Sequence, residues 1–246
     1  MELEKKISSW ITNYLDNTNL SSLIVGVSGG IDSALTSTLC AMSNKKTIVV
    51  SIPIFQNESQ LNLAKKHIEW LKSNFNNVIS IEIDMSDVFS MFEKKFDSYH
   101  NLSSANSKSR LRMVTLYHIS SLNNGIVVGT GNKVEDFGIG FFTKYGDGGV
   151  DISPIADLTK TEVRELASNL GIIEEIIQAE PTDGLWDDDR TDEQQIGATY
   201  SELEWAMSFD GNLSDLTEKE IDVLQIYKKF NKMNAHKMTT IPIFKK

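Results

Sequence analysis

Apolar positions in this chain follow two periods that take turns. Short β-branched runs over 23–27, 47–52, 78–83 and 125–129 each read as strands, and the stretches 32–42, 58–73, 87–96 and 111–122 carry helical spacing. Strand and helix alternating in this way predict an α/β fold, because each crossover helix must bury an apolar stripe on a mainly parallel sheet. The expected architecture is doubly wound and Rossmann-like, with helices on both faces. In the first crossover helix Ala34, Leu35, Thr38, Leu39 and Met42 share one face, and in the second Leu61, Ala64, Ile68 and Leu71 do so. These are core positions, and Cys40 belongs with them as core filling.

Beyond the fourth strand the pattern loosens. Residues 138–149, GIGFFTKYGDGG, are rich in glycine and aromatics and predict an irregular loop. Thr159 and Glu162 have capping-box spacing and open a helix that carries Val163, Leu166 and Leu170 and stops at Gly171. Residues 180–192, EPTDGLWDDDRTD, are polar and marked by Gly and Pro, which predicts a mobile surface segment that orders over bound nucleotide. Two further helices are expected over 199–207 and 217–234, the second with another capping box at Thr217 and Glu220. No internal repeat, low-complexity tract or linker breaks the chain, so residues 1–246 are expected to form a single domain.

Composition narrows the chemistry. The 246 residues carry 34 acidic and 24 basic side chains, a formal net charge of −10, with 40% hydrophobic residues. A nucleic-acid surface is not the expectation from such a balance; an anionic ligand would need a local convergence of Lys and Arg, or a divalent cation. Cys40 is the only cysteine, which excludes an intrachain disulfide and a Cys-based zinc site and suits a reducing cytoplasm. The first fifteen residues alternate charge with apolar positions and lack the apolar run of a signal peptide or anchor, and no segment has the apolar length to span a bilayer.

The sharpest local signal is the turn after the first strand. Gly26-Val27 runs into Ser28-Gly29-Gly30 and then into Ile31-Asp32-Ser33 at a helix start. Backbone N–H groups there, with the helix dipole, attract an anion, and the hydroxyls of Ser28 and Ser33 add donors. The spacing is neither the Walker pattern nor the dinucleotide Gly-x-Gly-x-x-Gly. Asp32 is the odd member, since a carboxylate beside a phosphate is repulsive unless a cation lies between, and Mg²⁺ favours such mixed oxygen ligands.

Ser28-Gly29-Gly30-x-Asp32-Ser33 resembles the pyrophosphate-binding signature of the N-type ATP pyrophosphatases. Gly129-Thr130-Gly131-Asn132-x-x-Glu135, the run Phe141 to Gly149 followed by Asp151, Leu158-Thr159-Lys160, Glu180-Pro181-Thr182 and His236-Lys237 are similar to the ammonia-dependent NAD synthetases within that superfamily. The resemblance covers about Ser22 to Lys237. It implies ATP-dependent amidation of deamido-NAD⁺ by free ammonia through an adenylate, with release of AMP and pyrophosphate. It assigns Gly26 to Ser33, Thr130, Lys160 and Thr182 to ATP, and Asp32 and Glu135 to Mg²⁺. Arg110, Lys144, Asp151, His236 and Lys237 are assigned to deamido-NAD⁺. Lys160, beside the leaving pyrophosphate, and Asp32 carry the implied catalytic charge stabilisation.

The resemblance also implies a homodimer. About twenty residues precede the first strand, so no N-terminal glutaminase domain is expected. One departure stands out: many members carry Arg in the second strand where this chain has Ser51-Ile52-Pro53. A GMP-synthetase-like amidating enzyme and a nucleotide sensor without turnover are the competing readings; neither accounts for the run from Phe141 to Asp151.

Overall fold

A computed structural model describes residues 2–98, 100–182, 184 and 190–246. Its first half alternates strand and helix as the sequence pattern requires. Helix α1 (Leu3–Asp16) leads into β1 (Ser22–Gly26), α2 (Ile31–Met42), β2 (Lys46–Ser51), α3 (Glu58–Asn74), β3 (Val78–Glu82), α4 (Ser86–Glu93), α5 (Asn101–Leu122) and β4 (Gly125–Val128). Among the described residues the four strands form one parallel sheet in the order β3-β2-β1-β4. Ile24 stands opposite Ile48 on one side and Val127 on the other.

Alternation along β1 divides the core into two layers. Leu23 and Val25 point to the face covered by α1, α2 and the later helix α6 (Lys160–Asn169), where they meet Ile11, Leu35, Leu39, Cys40 and Val163. Val49 joins Ala64, Ile68 and Leu71 of α3 beside them. Ile24, Ile48 and Val50 point the other way, against Leu116 and Ile119 of α5. Helices therefore cover both faces, as predicted, and α2 lies so deep that Ile31 and every residue from Ser33 to Ala41 is buried. Leu35 and Leu39 are each fully enclosed, and truncating either to Ala would cost about 3 kcal/mol.

Two elements differ from the sequence expectation. Helix α5 begins at Asn101, ten residues before the predicted start, because its first turns (NLSSANSKSR) carry small polar side chains that show no apolar stripe. Those side chains are polar because they face loop atoms rather than core. Asn106 accepts a hydrogen bond from the Thr143 hydroxyl at 2.7 Å, and the Ser109 hydroxyl donates to Asp147 at 2.6 Å. The expected loop over 138–149 is also partly helical. Residues Val134–Ile139 form a turn of π-helix that ends on left-handed Gly140.

The second half is helical: α6, α7 (Glu174–Ile177), α8 (Asp192–Ile196), α9 (Tyr200–Ser208) and α10 (Glu218–Met238), with a short 3₁₀ turn at Leu213–Asp215. Both predicted capping boxes form, at Thr159 with Glu162 and at Thr217 with Glu220. Two more form at Thr191 with Gln194 and at Thr199 with Glu202. Helix α10 braces the π-helical turn: Asn231 donates to the Gly138 carbonyl and Asn234 to the Ile139 carbonyl, at 2.7 and 2.8 Å. Of the mobile segment expected over 180–192, residues 183 and 185–189 lie outside the described residues. Among the described residues no helix is long and apolar enough to cross a membrane.

Candidate active site

The carboxyl ends of β1 and β4 are neighbours, and the loops leaving them wall a cleft of about 640 Å³. Open parallel sheets bind ligands at such a crevice because strand ends and helix N-termini converge there. Gly26 through Ser33, Thr130, Glu135, Lys160, Thr182 and Lys237 all line it.

The turn from β1 into α2 is held by its own side chains. Gly29 has φ of +93°, and a Cβ there would sit 2.5 Å from the Gln60 carbonyl oxygen, so only glycine fits. The Ser33 hydroxyl accepts from the Ser28 N–H at 3.2 Å and donates to the Gly30 carbonyl at 2.8 Å, while the Ser28 hydroxyl accepts from the Gly30 N–H at 3.2 Å. The sequence reading expected bare N–H donors here. Two of them instead rest on serine oxygens, which preserve the open turn until an anion's oxygen competes for them.

Three charged side chains meet at the edge of this turn. Lys160, the first residue of α6, is 1% exposed and places Nζ 2.5 Å from Asp32 Oδ2 and 3.0 Å from Glu135 Oε1. Burial alone would push the ammonium down, but the two carboxylates outweigh it and hold Lys160 above the usual lysine range. Burial also works against ionised Glu135; Lys160, with the Tyr200 hydroxyl, overcomes it and keeps Glu135 low. Asp32 goes the other way, because burial and the Glu135 charge outweigh the pull of Lys160. Asn132, fully buried, joins the two carboxylate-bearing loops: its Nδ2 donates to Asp32 Oδ1 at 3.1 Å, and its Oδ1 accepts the N–H groups of Val134 and Glu135.

Two carboxylates already sharing one cation form a donor set that suits Mg²⁺ completed by phosphate oxygens, since Mg²⁺ takes one or two protein carboxylates in that role. Among the described residues no group of three or more His, Cys, Asp or Glu could hold a metal by protein ligands alone. The chemistry such a cluster can support is charge neutralisation of an anionic ligand, with Lys160 as the positive group.

The residues implied for the acceptor are spread more widely. Lys237 reaches the cleft and donates to the carbonyls of Gly140 and Phe142 at 2.6 and 2.8 Å. Lys144 Nζ donates to the His236 carbonyl at 2.6 Å, and exposed Arg110 donates through Nε to the Lys144 carbonyl at 3.3 Å. Those three do not line the cleft. Asp151 also stands outside it, accepting the Val127 N–H at 2.7 Å and the Tyr117 hydroxyl at 3.0 Å beside a second, smaller depression.

Four cleft or cluster residues escaped the sequence reading. Arg112 donates through Nε to the Ile52 carbonyl at 3.1 Å, so α5 brings a guanidinium to the end of β2, where the chain has Ser51 instead of Arg. Asp136 lines the cleft, and burial together with the charges of Glu135, Asp147 and Asp32 pushes it up to about 8. Asn132 stood in a quoted motif without a role. Tyr200 had no signal at all, being one more aromatic in a helix.

Comparisons with known proteins identify the family. The family model for NAD synthase matches residues 3–241. The NH(3)-dependent NAD(+) synthetase of Carboxydothermus hydrogenoformans is 39% identical over 204 residues, which cover 82% of this chain and 83% of that protein. The structure of NMN synthetase from Francisella tularensis superposes with a TM-score of 0.88 at 28% identity, covering 98% of this chain and 96% of that one. NH3-dependent NAD synthetase from Campylobacter jejuni subsp. jejuni gives 0.81 at 27% identity over the full length of both chains. The chain belongs to the NAD synthase family, ligases that amidate deamido-NAD⁺ to NAD⁺ using ATP and ammonia.

Proposed function

We propose that the reaction proceeds through an adenylate assembled at the β1 and β4 strand ends. The nicotinate carboxylate oxygen attacks the α-phosphorus of ATP, the bond to the leaving pyrophosphate breaks, and a mixed anhydride forms. Ammonia then adds to the carbonyl carbon, AMP departs with the anhydride electron pair, and the nitrogen loses a proton to give the amide. The protein's task is placement and charge neutralisation, because a free carboxylate is a poor acyl donor and two anions must meet. The observation that carries this reading is the Lys160 ammonium held between Asp32 and Glu135 at the mouth of the Ser28 to Ser33 turn.

In this reading Gly26 to Ser33, Thr130 and Thr182 hold ATP, and Lys160 stabilises the charge developing on pyrophosphate. Asp32 and Glu135 would hold Mg²⁺, which when bound supplies Lewis-acid neutralisation of the phosphate oxygens. Arg110, Lys144, Asp151, His236 and Lys237 take deamido-NAD⁺. A homodimer completes the acceptor site; the solvent-facing positions of Arg110 and His236 support it, as do exposed Val114 and Leu122 on α5. Residues 1–246 act as one domain in this reading, and a cytoplasmic setting fits the single buried thiol.

The likeness to an NMN synthetase supports a second acceptor, the nicotinate mononucleotide, whose carboxylate would undergo the same amidation. Product analysis tests all of this. With ATP, Mg²⁺ and deamido-NAD⁺, ammonium should yield NAD⁺ with equimolar AMP and pyrophosphate, and glutamine should yield none. Replacing the acceptor by the mononucleotide measures its share through kcat/KM. Hydrolysis of ATP to ADP, or amide formation without pyrophosphate, would sink the adenylate.

A further inference from the structure

Tyr200 opens helix α9, about forty residues beyond Lys160 in the chain, and no motif points to it. It is 1% exposed, among the largest fully buried side chains, and does not line the cleft. A buried tyrosine ordinarily finds some partner for its hydroxyl, and a satisfied core residue is the bland account. Here, however, both ends of the side chain meet the charged cluster. The hydroxyl donates to Glu135 Oε1 at 2.6 Å, a length typical of a charge-assisted bond, and lies 3.3 Å from Asp192 Oδ2. One hydroxyl has one proton, and the shorter contact takes it. The ring face lies under the Lys160 ammonium, with Nζ 4.5 Å from its centroid.

Neither contact is left to chance by the surroundings. Val134, Ile139, Ile196 and Leu203 enclose the ring, and the Tyr200 N–H donates to Glu193 at 3.0 Å. Glu135 is fixed at its other end, where Asn132 accepts its N–H at 3.1 Å. The carboxylate thus has its backbone held by Asn132 and its Oε1 aimed by Tyr200 and Lys160, which limits how far it can swing when the ammonium moves to a phosphate.

We propose that Tyr200 is a positioning residue for the amidation reaction: its hydroxyl aims the Glu135 carboxylate as a metal ligand, and its ring seats Lys160 beside the phosphate turn. The inference rests on the reading that Asp32 and Glu135 take Mg²⁺. Partners of this kind behind a metal ligand are worth about 10- to 100-fold in metal affinity. The two ends of the side chain can be separated by substitution. Tyr200→Phe removes the hydroxyl and keeps the ring, whereas Tyr200→Leu removes both.

The test titrates Mn²⁺ into the full-length protein saturated with α,β-methylene-ATP, which cannot transfer its adenylyl group, and follows free Mn²⁺ by electron paramagnetic resonance. Tyr200→Phe should weaken Mn²⁺ about tenfold. It should raise the Mg²⁺ concentration for half-maximal pyrophosphate release in parallel and leave KM for deamido-NAD⁺ unchanged. Tyr200→Leu should show the same metal loss and, in addition, a KM for ATP raised about tenfold, as a misplaced Lys160 predicts. Glu135→Gln is the control. If it binds Mn²⁺ as wild type does, the metal reading itself falls and takes this inference with it. If Glu135→Gln is weakened while Tyr200→Phe keeps wild-type Mn²⁺ affinity and Mg²⁺ dependence, the role of the hydroxyl is overturned. A Tyr200→Leu enzyme with unchanged KM for ATP would overturn the role of the ring.

Discussion

The two halves of the site are built differently. In the half proposed for ATP, the turn from Ser28 to Ser33, the carboxylates of Asp32 and Glu135, and Lys160 are joined by hydrogen bonds through Asn132 and Tyr200 and rest on buried helices. In the half proposed for the acceptor, exposed Arg110 and His236 and half-buried Lys144 bond mainly to backbone carbonyls, and Asp151 is tied to Val127 and Tyr117 outside the cleft. The first half is preorganised by the core of a single chain. The second has its cations in reach of one another without a shared pocket. The difference follows from charge: clustered buried charges must satisfy one another or the fold loses stability, whereas exposed ones are solvated and can wait for a ligand.

That contrast is broken most directly at Lys160. Replacing it with Met leaves Asp32 and Glu135 facing each other without a cation, and should lower kcat by about a thousandfold. The unliganded protein should also lose about 3 kcal/mol of stability. Thermal melts and pyrophosphate release read the two effects. Wild-type stability in Lys160→Met would mean that the cluster is not held by its own charges.

The next largest effect concerns the footing of the phosphate turn. His67 of α3 is fully buried, stacks on Trp70 and shares a 2.9 Å hydrogen bond with Ser37 of α2. Burial lowers it from 6.5 to about 4, so the unfolded chain takes up a proton that the folded one refuses. Its contribution is therefore complete above pH 6.5 and drains away as pH falls toward 4, to a total of about 3 kcal/mol. Urea denaturation at pH 7, 5.5 and 4.5 should show a steeper loss in wild type than in His67→Gln. Equal slopes would remove the buried imidazole from the account.

A smaller effect is expected at Gly29. Its φ of +93° and the Gln60 carbonyl at 2.5 Å from an added Cβ mean that Gly29→Ala strains the turn by about 2 kcal/mol, with weaker ATP binding. Denaturation and nucleotide titration together check it. The smallest change sharpens the other side of the comparison. Lys144→Ala should raise KM for deamido-NAD⁺ about tenfold, as expected for losing one charge-assisted contact, while leaving the melting temperature and KM for ATP alone. A loss of stability there would show that the acceptor half is structural after all.

Much of this was readable before any coordinates. The β-branched runs located all four strands to within a residue at each end: β1, β2 and β4 are largely buried and can carry few polar side chains, and the edge strand β3 keeps its β-branched run although Ile79 is exposed. The Thr159 and Thr217 capping boxes also announced their helices locally. Where the periodicity failed, the side chains had another audience. The first turns of α5 are polar because they bond to the loop of Thr143 and Asp147, and a helix that serves a loop shows no apolar stripe.

The sequence by itself determined the parallel α/β order, the glycine turn, and the residue types from which the phosphate site is made, since these follow from short-range spacing and local backbone demands. Only the tertiary structure decided that Lys160 enters between Asp32 and Glu135, that Tyr200 closes behind them, and that Arg112 reaches the end of β2. Those contacts join residues separated by 25 to 128 positions. At such distances in sequence no local pattern constrains which side chains meet; packing of α5, α6 and α9 against the sheet and its loops does.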